Sequence, residues 1–140
     1  MEIGNVFVDS NVFIALFNKD DSLHERAVKL WHSLRKRNYR VCVSNFVVSE
    51  VITVLSQRVG KEIAIEFAVT MYENERRETS IIYSSERIER KALEYIKSIP
   101  SKNFSFVDAT IFAILELYEM KNLASFDKVF RRLKGIKIFS

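Results

Sequence analysis

Cys42 is the only cysteine in the 140 residues, which excludes an internal disulfide and any zinc site built from several thiolates. One proline and three isolated glycines (Gly4, Gly60 and Gly135) leave no flexible linker and no glycine-rich loop to cradle phosphate. The two histidines, His24 and His32, are too far apart on one helix to meet, because only residues three or four apart face each other. That weighs against chemistry by paired imidazoles. No apolar run approaches the roughly 18 residues that span a bilayer. Met1 to Asn5 lacks the basic start and apolar core of a signal peptide. The expectation is a cytoplasmic protein with no membrane association, one domain over residues 1–140. Its hydrophobic fraction of 48% is ample for a core.

Basic residues exceed acidic ones, 22 against 18, for a net charge of +4. They gather at Arg35-Lys36-Arg37 with Arg40, at Arg76-Arg77, at Arg87, Arg90 and Lys91, and at Arg131-Arg132 with Lys134 and Lys137. Any one cluster reads equally well as a solvated helix face. Together they favour a nucleic acid over an acidic metabolite as partner.

Local pattern gives an alternation of strands and helices. Ile3–Val8 reads as a buried strand, followed by a helix over Asn11–Phe17. Ser22 and Glu25 have capping-box spacing ahead of a helix with Leu23, Ala27, Leu30, Trp31 and Leu34 in a stripe. Arg40–Val43 is a second strand, and Ser44 caps a helix that Gly60 stops. Lys61 to about Glu75 is helical, Thr79–Tyr83 a strand, and Ser85–Ser98 a helix with Ile88, Ala92, Leu93 and Ile96 inward. Ser105 opens a helix to about Met120. Leu123–Ser125 is a strand, Asp127–Leu133 a short helix and Ile136–Phe139 a last strand. This order predicts an α/β sandwich with a mainly parallel central sheet flanked by helices. Ligands of such sheets bind beyond the carboxyl ends of the strands, where Asp9 and Asp127 fall.

Four acids interrupt stretches that otherwise look buried. Asp9 ends Val6-Phe7-Val8, and Glu50 lies inside the apolar run Phe46 to Ile52. Asp108 precedes Ala109 to Ala113, and Asp127 follows Leu123 to Phe126. Asp108 could serve only to complete a capping box with Ser105, and Asp127 only to cap its helix. Glu50 has Phe46, Val47 and Val54 as helical neighbours, which predicts a place on the apolar face. Buried carboxylates are costly unless they are paired or bind a cation. Two like charges about 4 Å apart repel by roughly 4 kcal/mol at an effective dielectric near 20. Four such acids point to convergence on one hard divalent ion, and oxygen ligands favour Mg²⁺ or Mn²⁺ over zinc.

The motifs around these acids resemble the PIN-domain ribonucleases. Val6-Phe7-Val8-Asp9-Ser10-Asn11 is similar to the family's opening signature, and Ser44 to Val51 to its second-acid helix. Phe104-Ser105-Phe106-Val107-Asp108-Ala109 is similar to the third-acid motif, and Leu123 to Phe130 to the closing Thr-x-Asp-x-Asp-Phe element. Order and spacing agree over essentially the whole chain. Two departures stand out: Val129 replaces a further Asp found in many members, and Ser125 replaces the commoner Thr while keeping the hydroxyl. Length and layout look most like the toxin half of VapBC toxin–antitoxin pairs.

The resemblance implies a three-layer PIN-like sandwich and hydrolysis of RNA phosphodiesters by a metal-bound water. Asp9, Glu50, Asp108 and Asp127 would form the catalytic set, with Asp9, Asp108 and Asp127 holding Mg²⁺ or Mn²⁺. Asn11, Ser105 and Ser125 would contact substrate or ordered water. The implied partners are RNA and a small antitoxin-like inhibitory protein. A homodimer is expected too, motivated by the crowding of Phe13, Ile14 and Phe17 on one short helix. Strand entry is expected over basic faces around Arg87, Arg90 and Arg131, with little base preference. Two rivals remain. One is a catalytically inert PIN-like module that only binds RNA or a partner. The other is a phosphatase with an aspartyl nucleophile, which would want an Asp where Asn11 stands.

Overall fold

The computed structural model describes residues 4–73 and 78–140. Among the described residues, five strands form one sheet in the order β3-β2-β1-β4-β5, and every pairing is parallel. They are β1 (Asn5–Val8), β2 (Arg40–Ser44), β3 (Thr79–Ile82), β4 (Asn122–Ala124) and β5 (Lys137–Phe139). The flanking helices are α1 (Ser10–Phe17), α2 (His24–Lys36), α3 (Asn45–Arg58), α4 (Lys61–Tyr72), α5 (Glu86–Ser98) and α6 (Phe106–Leu117). Helix α1 packs on α2 and α3, α3 on α4, and α5 on α6. None of the described helices is long and apolar enough to cross a membrane.

Parallel strands covered on both faces read as continuous apolar runs. Val6, Phe7 and Val8 of the central β1 are accordingly sealed from solvent, as are Val41 and Val43 of β2. Helix α6 is buried without a break from Ala109 to Leu115, as expected of a helix that is apolar all round. Two aromatic clusters brace the halves. Phe13 meets Trp31 and Phe67 at centroid distances of 5.8 and 5.4 Å. Phe112 meets Tyr95, Phe104 and Phe130 at 5.3, 5.0 and 5.5 Å. Each fully buried ring contributes about 1.5–3 kcal/mol of burial free energy.

Several local expectations are corrected. Ser22 does not cap α2. Asp21 intervenes, its side chain accepting from Leu23 N–H at 2.9 Å and its carbonyl from His24 N–H at 2.9 Å, so the helix starts without a side-chain cap. Leu93 points outward at 48% exposure, because the buried stripe of α5 runs through Ile88 and Ala92. Helix α6 ends at Leu117, where Glu119 at φ 53° turns the chain into β4. Asp127 to Leu133 forms a 3-10 helix, Lys128–Arg132, and not an α-helix. Phe13 and Ile14 belong to the core, and Phe17 packs edge-on against Phe67 at 5.2 Å, which removes the crowding argument for a dimer. The Arg76-Arg77 cluster, Ile3 and the expected end of α4 at Glu75 lie outside the described residues.

Gly60, at φ 147°, makes the sharp passage from α3 to α4 that a side chain would strain. Strand order decides where the site lies. The chain runs outward one way through β2 and β3 and the other way through β4 and β5, so the order reverses between β1 and β4. A crevice at such a reversal is the usual ligand site of an open parallel sheet.

Candidate acidic site at the carboxyl edge

Asp9 leaves the end of β1 and Ser125 the end of β4, side by side at that reversal. Both are buried, at 4% and 1% exposure. Asp9 is the N-cap of α1. Its Oδ1 accepts from the backbone N–H of Ser10 at 2.8 Å, and its Oδ2 accepts from the Ser125 hydroxyl at 2.7 Å and from Asn11 Nδ2 at 3.3 Å. Burial nevertheless pushes its pKa up to about 7. The bonds from Ser125 and Ser10 hold it down, and the charges of Asp108 and Glu50 raise it further. A carboxylate that is desolvated, hydrogen-bonded and crowded by like charges is one a cation would stabilise.

Asp108 stands on the first turn of α6 as the far half of a capping box. Ser105 Oγ accepts from its N–H at 3.0 Å, and its own Oδ2 accepts from Ser105 N–H at 3.0 Å. The capping role expected of Asp108 is thus observed, and it leaves Oδ1 uncommitted among the hydrogen bonds of the described residues. Desolvation raises its pKa, with Asp127 and Glu50 adding to the shift. These mutual influences bring the four acids into one electrostatic neighbourhood.

They are not equally buried. Glu50 is exposed, contrary to its expected place on the apolar face. The buried stripe of α3 is Val47, Val48, Val51 and Leu55, and Glu50 sits on its flank beside the half-buried Phe46 and Val54. Asp127 is also exposed and spends Oδ1 on the N–H of Val129 at 3.0 Å, capping the 3-10 helix. Among the described residues, no three His, Cys, Asp or Glu side chains are gathered tightly enough to hold an ion by themselves. Two carboxylates with water completing the shell is how Mg²⁺ is commonly held. Asp9 and Asp108, with no nitrogen or sulfur donor in the set, fit that chemistry.

The hydroxyl and amide groups work inside the protein. Ser125 Oγ accepts from Asp127 N–H at 3.0 Å while donating to Asp9. Asn11 is committed at both ends: Nδ2 reaches Asp9 and Ser125, and Oδ1 accepts from Phe126 N–H at 3.1 Å. Both side chains, expected to touch substrate, are thus engaged in fixing Asp9 and the turn after β4. Ser105 is exposed at the mouth of the site. Sequence reading missed Arg26, which reaches this edge from α2 and stacks over the Phe126 ring at 5.3 Å. A lone arginine on an amphipathic helix carries no signal of that kind.

Known proteins resemble this chain in sequence and in fold. The chain is 31% identical over 122 residues to the 23S rRNA-specific endonuclease VapC20 of Mycobacterium tuberculosis, covering 87% of this chain and 88% of that one. It is 30% identical over 125 residues to a VapC ribonuclease of Archaeoglobus fulgidus, covering 88% and 77%. The crystal structure of M. tuberculosis VapC20, described as a sarcin-ricin loop cleaving toxin, superposes with a TM-score of 0.84 at 27% identity, over 96% of this chain and 99% of that one. A toxin–antitoxin complex from Klebsiella pneumoniae shares the fold at a TM-score of 0.64 and 18% identity, over 94% and 95%. The PIN domain model matches residues 6–136, from the strand that carries Asp9 to the last turn before β5, and with the acids in their expected order this chain belongs to the PIN domain family.

Proposed function

We propose that this protein is a divalent-cation-dependent endoribonuclease and the toxin of a toxin–antitoxin pair. The observation that carries the reading is the buried Asp9 carboxylate, fixed from three sides at the sheet's switch point and flanked by Asp108 and Glu50. A binding module has no use for so costly a group, which speaks against the inert alternative. The phosphatase alternative lacks its acid–base Asp, because Asn11 stands at that position.

In this reading Asp9 and Asp108 hold Mg²⁺ or Mn²⁺, with Asp127 contributing from the rim. When bound, the ion supplies an acidified water and neutralises charge on the scissile phosphate. Ser125, Asn11 and Ser10 keep Asp9 in one orientation, so no reorganisation is needed at the moment of reaction. Glu50, exposed and beside the pair, orients the attacking water or accepts its proton. Ser105 at the mouth offers its hydroxyl proton to a phosphate oxygen.

The partner in this reading is a small antitoxin-like protein, and the assembly a homodimer. Ile65, Val69 and Tyr72, at 52, 45 and 52% exposure, form an unpartnered apolar row on α4 that suits protein contact. The similarity to VapC ribonucleases supports RNA as substrate. Incubation of the purified protein with single-stranded and ribosomal RNA, with Mn²⁺ or Mg²⁺ and then with EDTA, tests the activity. Cleavage that needs the ion supports it. No cleavage of any RNA, or cleavage indifferent to EDTA, rejects it.

A further inference from the structure

Beside the acids, a cleft of about 120 Å³ opens between α2 and the 3-10 helix. Arg26, Lys128 and Arg131 line it with Ser125, Phe126 and Asp127. All three cations are exposed, and among the described residues none is in a salt bridge. By contrast, Arg90 on α5 is paired with Glu86 at 2.8 Å. Arg26 is also held in place, stacked on Phe126 and donating from its guanidinium to Ser140 Oγ at 3.3 Å. Against these three cations the lining sets one carboxylate, Asp127, so the cleft keeps a net charge of +2 (three cations less one anion) that an incoming anion would offset.

Guanidinium and ammonium donors on an open cleft of this kind suit a phosphodiester group, whose oxygens spread one negative charge over several acceptors. Asp127 and Ser125 form the wall shared with the acidic site, so an anion seated here lies next to the catalytic carboxylates. We propose that Arg26, Lys128 and Arg131 form a phosphate-binding subsite for the RNA strand, adjacent to the phosphodiester that is cut. Its position beside a scissile bond rests on the nuclease reading above, but the binding of a strand does not. This adds the side of α2 and the 3-10 helix to the strand entry expected over Arg87 and Arg90 of α5, and Arg131 is common to both.

The test is anisotropy of a labelled single-stranded RNA in EDTA, from 50 to 200 mM salt, so that neither metal nor cleavage is required. Arg26→Gln, Lys128→Gln and Arg131→Gln combined should weaken binding at least tenfold at 50 mM. The slope of log affinity against log salt should become shallower by about 2, from roughly 0.7 per lost single-strand phosphate contact. A control triple, Arg40→Gln, Arg58→Gln and Lys61→Gln, loses the same charge elsewhere and should stay within threefold. Equal losses in both triples would mean that net charge alone matters and would overturn the subsite. Wild-type affinity and slope in the cleft triple would overturn it as well and assign the cleft to an acidic segment of a protein partner. Cleavage with Mn²⁺ separates the two readings. A wild-type protein that binds through the cleft but cuts nothing sinks the nuclease and keeps the subsite. A cleft triple that cuts with unchanged KM sinks the subsite and keeps the nuclease.

Discussion

The Ser125 hydroxyl donates to Asp9 Oδ2 at 2.7 Å across 116 residues of sequence, joining the ends of two neighbouring parallel strands. It is the strongest brace on the site's central carboxylate and the largest effect opposing its neutralisation by burial. Ser125→Ala should therefore raise the Asp9 pKa above its present value near 7. Protons would then compete better with the cation. The Mn²⁺ concentration for half-maximal activity should rise several-fold at pH 6.5, and less at pH 8.5. Ser125→Thr keeps the hydroxyl and should restore it. Equal metal requirements in Ser125→Ala and wild type would mean that the bond does not position Asp9.

The raised pKa of Asp9 has a sign that can be measured in the metal-free protein. The unfolded chain ionises Asp9 near 3.8, whereas the folded chain holds its proton until about 7. Stability is full below pH 4 and is lost as pH rises through 7, at about 1.4 kcal/mol per pH unit in that window. Asp9→Asn removes this dependence. In EDTA the variant should be more stable than wild type at pH 8, by an amount on the order of 1 kcal/mol or more, and nearly equal at pH 4. Mg²⁺ should raise the Tm of wild type only. Urea midpoints that run parallel for the two proteins from pH 4 to 8 would contradict the assignment.

Unequal burial ranks the acids. Asp9→Asn and Asp108→Asn should each lower kcat at least a hundredfold while circular dichroism stays native. Glu50→Gln should lower kcat with little change in metal affinity, because Glu50 is exposed and its proposed role is toward water and not the ion. Asp127→Asn keeps a capping oxygen for Val129 N–H and should cost least, on the order of tenfold. A chelation titration beside the rate assay distinguishes these roles, and an Asp108→Asn protein as active as wild type would refute the site.

Asn11 ties β1 to the turn after β4. Asn11→Ala leaves Phe126 N–H without its partner and should destabilise the fold by about 1–2 kcal/mol. It should also reduce kcat, because the Asp9–Ser125 pair loses its lateral support. Asn11→Asp is the sharper control: it can still accept from Phe126 N–H but sets a second carboxylate against Asp9. It should fold near neutral pH only with added divalent ion or with one proton shared. Unchanged stability in both variants would show that the clamp contributes nothing to the fold.

Each acid motif is contiguous, so the four could be read before any strand was placed. Asp9 at a strand end and Asp108 in a capping box are consequences of a few adjacent residues, and the Ser44 and Ser105 caps form as their local sequence dictates. The alternation of apolar runs likewise contained the parallel sheet, since a strand buried on both faces must be apolar throughout. Periodicity alone did not settle the edges of a stripe. Glu50 sits one position before the buried Val51, about 100° around the helix, and ends up in solvent. Nor could spacing reveal what crosses between elements. That Asn11 would bond Phe126, that Ser125 would be consumed in holding Asp9, and that Arg26 would join Lys128 and Arg131 all depend on β4 lying beside β1 and α2 facing the 3-10 helix. Local chemistry chose the residues, but the order of strands in the sheet, fixed by the packing of the whole core, decided which of them meet.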